Sequence, residues 1–117
     1  MMKLVIDRER WLRGEGAEES KLLRSRDGKM CCFGFLLTGA GMRPGQIVNR
    51  STPVDATGSV LSGQLPASCG WTTQGRSLTK DCLTAMQVND ATDVDDATRE
   101  RLIGNTFRAH GIDVTFV

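Results

Sequence analysis

Two cysteines stand side by side at Cys31 and Cys32, inside the apolar run "MCCFGFLLTGAG". Adjacent thiols raise four options: metal ligation, redox chemistry, nucleophilic attack and packing. Zinc sites favour the C-x2-4-C spacing, which lets two thiolates reach one ion. Neighbours on a helix point about 100° apart and rarely share a metal. A disulfide between neighbours strains the chain. A nucleophile needs a base, and His110 is the only histidine. Reduced cysteine is among the most buried residue types. Core packing is therefore the reading for both thiols, with a cysteine- or metal-dependent enzyme using Cys31 or Cys32 as the alternative. No catalytic residue, metal ligand or cofactor is assigned, and a binder is favoured over an enzyme.

Three other groups carry chemistry. Asp90, Asp93, Asp95 and Asp96 loosely resemble a calcium loop, but a calcium-binding loop needs a central glycine and a final glutamate. Those positions hold Asp95 and Arg101. Helix capping accounts for these aspartates better. Arg8, Arg10, Arg13, Arg24 and Arg26 suggest a phosphate-binding patch, diluted by Asp7, Glu9, Glu15 and Asp27. No nucleic-acid-binding pattern accompanies them, so a nucleic-acid binder is the second alternative. His110 falls at a helix C-terminus, where a protonated imidazole suits the helix dipole. Neither GxGxxG, GxxxxGK[ST] nor GxSxG occurs.

Composition sets the frame for these groups. The chain has 117 residues, 39% hydrophobic and 25% charged, with a formal net charge of +1, which fits a single soluble domain spanning 1–117. So small a net charge gives no general attraction for nucleic acid. No apolar run reaches the roughly 18 residues of a membrane span. The start, "MMKLVIDRERW", has charges where a signal peptide needs an apolar stretch, so the expected location is the cytoplasm. Charge is uneven: residues 1 to 30 carry eight Lys/Arg and six Asp/Glu, whereas residues 79 to 100 carry two and six.

The expected fold is α+β. About three helices pack on a small antiparallel sheet that pairs an N-terminal strand, "KLVI", with a C-terminal strand, "IDVTFV". The helices are placed over 30 to 40, 77 to 88 and 96 to 110. The first is apolar over most of its circumference, and Gly41 stops it. Gly34 and Gly39 weaken it by about 1 kcal/mol each and give room for a close neighbour. Asp7 caps a short turn that runs on to Gly14. The second helix puts Leu78, Cys82, Ala85 and Met86 on one face, and the third puts Ile103, Phe107 and His110 on one stripe. Between them, residues 43 to 76 hold eight Ser/Thr, five Gly and three Pro. That composition predicts a long irregular segment with a role in contact.

Four blocks also carry a resemblance: "WLRGE" at Trp11 to Glu15, "DGKMCCFGF" at Asp27 to Phe35, "ND" at Asn89–Asp90 and "GIDVTFV" at Gly111 to Val117. Together they resemble a family of small uncharacterised bacteriophage and prophage proteins. The spacing is also similar to a wider group of small bacterial proteins with an early tryptophan, a D-G…C-x-x-G-A helix and a later N-D. The resemblance covers about 65 residues at the two ends and brings no catalytic residue with it. It implies a phage-type accessory protein that binds a host protein or defence complex and inhibits or redirects it, as anti-CRISPR proteins do. The expected contact residues are Arg50, Trp71 and Arg76 together with Asp93, Asp95 and Asp96.

Overall fold

A computed structural model describes residues 2–51 and 80–117. Strand β1 spans Met2–Ile6 and is followed by a 3-10 turn at Arg8–Arg10. Four helices follow: α1 at Cys32–Gly39, α2 at Pro44–Ile47, α3 at Lys80–Asp90 and α4 at Asp96–Arg108. Strand β2 closes the order at Ile112–Phe116. The fold is mixed α and β, as the sequence predicts.

The two strands do pair, but they run parallel, with Leu4 opposite Val114 and Ile6 opposite Phe116. This corrects the antiparallel expectation. The reason lies in the end of α4. Gly111 adopts φ 80°, a left-handed conformation that suits glycine, and the chain reverses there. β2 therefore runs back along α4, and that direction coincides with β1, as in a strand–helix–strand crossover. Alternation tells which face of a strand is buried and nothing about its direction. Leu4, Ile6, Ile112 and Val114 are the buried face.

α1 is the centre of the core. Every residue from Cys32 to Leu37 is buried, so the helix is surrounded. It packs against β1, while α4 packs against both β2 and α3. Phe33 meets Phe107 of α4 with ring centroids 5.4 Å apart. Leu22, Ile47, Ile103 and Trp11 complete this cluster. The helix starts two residues later than the pattern suggests, because Met30 is drawn into a bridge with Trp11. There Leu12 N–H donates to Met30 C=O at 2.7 Å, and Met30 N–H to Arg10 C=O at 2.9 Å. It ends as expected, with Gly41 at φ 108° and Met42 N–H bonded to Leu37 C=O at 3.0 Å.

The caps follow the sequence closely. Asp7 accepts from Glu9 N–H at 3.0 Å, although the turn it starts ends at Arg10 and not at Gly14. Asp95 accepts from Thr98 N–H at 2.8 Å and Thr98 Oγ1 at 3.0 Å, fixing the start of α4. Residues 43 to 51 are more regular than expected. α2 begins with Pro44 at its first turn, and Val48 bridges Leu23. The rest of the 43–76 segment lies outside the described residues.

Arg24 and Asp27 close the loop before α1. Arg24 is 8% exposed and grips Asp27 with two bonds of 3.1 and 2.6 Å, while its other arm reaches Glu15 at 3.1 Å. These bonds, chiefly the one from Arg24, hold the Asp27 carboxyl below the usual carboxylate range. The sign follows from linkage. A lowered folded pKa gives stability above the unfolded value, about 3.9, which is lost as pH falls toward the folded value. Thermal unfolding of Asp27→Asn between about pH 4 and pH 2 should therefore fall less steeply with pH than wild type. Parallel curves for the two proteins in that window would remove the claim.

Candidate functional site

Both adjacent thiols are reduced and buried. Cys31 is the N-cap of α1 but makes no capping hydrogen bond. Burial pushes its pKa up to about 11, further than the nearby amides of Gly34 and Phe33 pull it down. The Asp90 carboxylate raises it a little more. A thiol held protonated at neutral pH is a poor nucleophile and a poor ligand. The cavity beside it, shared with Ser20, Ser51 and Asn89, is only about 10 Å³, close to the least space a water needs. Alkylation by iodoacetamide at pH 8, mapped by peptide mass spectrometry, should leave Cys31 and Cys32 unmodified in native protein and fully modified in denaturant. Modification of Cys31 within minutes under native conditions would contradict this burial.

The polar centre is Asn89, 1% exposed at the end of α3. Its Oδ1 accepts from the Trp11 indole at 2.8 Å and from Cys32 N–H at 3.1 Å. Its Nδ2 donates to Leu12 C=O at 3.0 Å and to Asp90 Oδ1 at 2.9 Å. One amide therefore ties the loop after β1, the start of α1 and the end of α3. The stretches holding Trp11, Cys31–Cys32 and Asn89–Asp90 meet at this point.

Beneath it lies Arg99, 3% exposed. Its guanidinium donates to the carbonyls of Val88, Asn89, Ala91 and Val94 at 2.8, 3.2, 2.9 and 2.6 Å. These are the open carbonyls at and beyond the C-terminus of α3, the negative end of its dipole. Asp96 is a longer contact at 3.4 Å. Asn89 and Arg99 are both positioning residues of the scaffold.

The N-terminal arginines are largely engaged. Arg8 holds Glu100 through two bonds of 2.7 Å. Arg13 reaches Asp96 at 3.2 Å and lies 4.6 Å from the Trp11 ring centroid. Arg26 pairs with Glu19 at 3.2 Å. Among the described residues no group of three His, Cys, Asp or Glu is placed to hold a metal. Nor is any described helix long and apolar enough to cross a membrane.

The expected contact residues are dispersed. Asp93 lies just before α4, Asp95 is its cap and Asp96 its first residue, but Asp95 is spent on the cap and Asp96 on Arg13 and Arg99. Asp93 is exposed. Arg50 is exposed elsewhere, just past α2, where its carbonyl accepts from Leu22 N–H at 2.7 Å. Trp71 and Arg76 lie outside the described residues, as do Cys69 and the side chain of Cys82. His110 sits half-buried just past the end of α4, which stops at Arg108 and not at residue 110, with its backbone N–H bonded to Phe107 C=O at 2.9 Å.

A feature that the sequence does not announce adjoins Asp93. A groove of about 550 Å³, open to solvent, runs between the loop at Gly16–Ala17 and the second half of α3. Leu83, Met86 and Ala91 give it an apolar floor, and Asp90 and Asp93 edge it. Leu83 is 43% exposed. The Gly16 N–H donates to Asp90 C=O at 2.9 Å and fixes the loop as one wall. Burial raises the Asp90 carboxyl above its ordinary value, against the pull of Ser20, Asn89 and Arg99. A smaller depression of about 330 Å³ lies among Arg10, Leu23, Met30 and Met42.

Comparison with protein-family models, with curated proteins and with solved structures finds no match.

Proposed function

We propose that this protein acts by stoichiometric binding to another protein, as a phage-type accessory factor that inhibits or redirects a bacterial host protein or defence complex. The observation that carries this reading is the acid-edged apolar groove, which exposes Leu83 beside Asp93. An exposed apolar floor with a polar edge is the usual anatomy of a contact surface. The state of the chemical groups supports the same reading. Cys31 is buried and protonated, Asn89 uses both ends of its amide internally, and Arg24 and Arg99 are spent on loops and helix ends. What the described surface offers is recognition.

The test is capture from a bacterial host lysate by the full-length tagged protein, followed by mass spectrometry and reconstitution with the purified partner. The expected result is one host protein that co-elutes at a fixed molar ratio and whose activity changes on binding. Failure of any captured protein to form a defined complex would refute the proposal.

A further inference from the structure

We infer that the groove between the Gly16–Ala17 loop and α3 takes a basic, apolar-anchored segment of a partner protein, the apolar side chains seated on Leu83 and Met86 and the cations beside Asp93 and Asp90. This rests on the binding reading above and specifies the partner's chemistry.

Volume comes first. About 550 Å³ lies within the range of about 300–1,000 Å³ over which pockets bury substantial ligands. A few side chains fit, and the open side lets a chain enter and leave. Floor chemistry comes next. Met86 is half-buried and adaptable, and Leu83 is nearly half exposed, so an incoming apolar side chain meets surface that still faces water.

Charge then selects the occupant. Among the described residues, neither Asp93 nor Glu18 on the adjoining loop forms an ion pair, whereas Asp90 is partly buried and already accepts from Asn89 Nδ2 at 2.9 Å. Two arginines of the surrounding scaffold are committed elsewhere. Arg99 is turned onto four carbonyls, and Arg24 is held by Asp27 and Glu15. The edge therefore carries negative charge that a partner's lysine or arginine complements, and it repels an acidic segment. An amphipathic helix with one apolar and one basic face meets both demands.

The experiment uses the full-length isotope-labelled protein and two synthetic peptides of about four helical turns. One is built of leucine and arginine, the other of leucine and glutamate in the same pattern. The basic peptide should shift the amide signals of Gly16, Ala17, Leu83, Met86 and Asp93, and the acidic peptide should not. Raising salt from about 0.05 to 0.5 M should weaken binding at least about fivefold, because Asp93 and Glu18 are exposed. Asp93→Lys and Leu83→Glu alter exposed positions, so both variants should fold, and each should weaken binding at least about tenfold. Equal binding of both peptides, shifts confined to the Arg10–Met42 depression, or no shifts at all would overturn the assignment.

The same variants separate this inference from the broader one. A host protein that forms a defined complex with wild type, Leu83→Glu and Asp93→Lys alike would leave the function standing and remove the groove. Peptide binding in the groove without any defined host complex would do the reverse.

Discussion

Asn89→Ala should cost at least about 3 kcal/mol, from three buried groups that each lose a partner at roughly 1–3 kcal/mol. The groups that lose this partner are the Trp11 indole N–H, Cys32 N–H and Leu12 C=O. None gains water easily, because the neighbouring cavity is about 10 Å³. Small domains have a total stability of only about 5–15 kcal/mol, so the variant should be marginal or unfolded at 37 °C. Urea denaturation of wild type and variant measures the difference. A loss under about 1 kcal/mol would mean that the hub is incidental.

Asn89→Asp divides the hub in two. A carboxylate still accepts from Trp11 and Cys32. It then faces Leu12 C=O and the Asp90 carboxylate, where the amide donated. Both contacts become repulsive, which raises the new acid's pKa in the folded state. The sign is opposite to that of Asp27: stability is best below the unfolded pKa and is lost as pH rises through the folded one. Asn89→Asp should therefore approach wild-type stability toward about pH 4 and fall away from it by pH 7. A pH-independent gap would place the defect in packing and not in the lost donors.

Arg99 is not singled out by sequence reasoning and Asn89 only as half of the "ND" block, though a trace of the burial of each is there. Arg99 lies four residues before Ile103 and eight before Phe107, so it extends the buried stripe of α4. Asn89 extends the face of α3 that holds Ala85 in the same way. A polar residue on an apolar stripe signals a buried interaction. It does not name the partner, since the Trp11 indole is 78 residues away. Caps are legible because donor and acceptor are close in sequence: Asp7 with Glu9 and Asp95 with Thr98. α1 is legible because almost all of it is apolar. Strand direction is not, because it depends on the path of the whole chain. The groove is not legible either, because its wall and floor come from residues 16–17 and 83–93.

Gly34→Ala should be at least as damaging as Asn89→Ala, and for the opposite reason. By helix propensity alone the change is favourable by about 1 kcal/mol. A Cβ on Gly34, however, would stand 1.9 Å from the Leu22 carbonyl oxygen and 2.8 Å from Met30 Cβ. The obstacle is backbone, and it is pinned on both sides. Leu22 N–H is bonded to Arg50 C=O at 2.7 Å, and the preceding Lys21 C=O accepts from Cys31 N–H at 3.1 Å. Relief requires the 20–24 segment to leave α1, which opens the centre of the core. Overpacking costs about 1–3 kcal/mol where side chains can adjust, and more where they cannot. The expected loss is therefore at least about 3 kcal/mol or complete failure to fold. Gly45→Ala is the matched control, since an added Cβ in α2 meets nothing within 4 Å. It should be neutral or stabilise by up to about 1 kcal/mol. Similar melting temperatures for Gly34→Ala and wild type would show that Leu22 and α1 are not locked together, and the central place given to α1 would fall with that result.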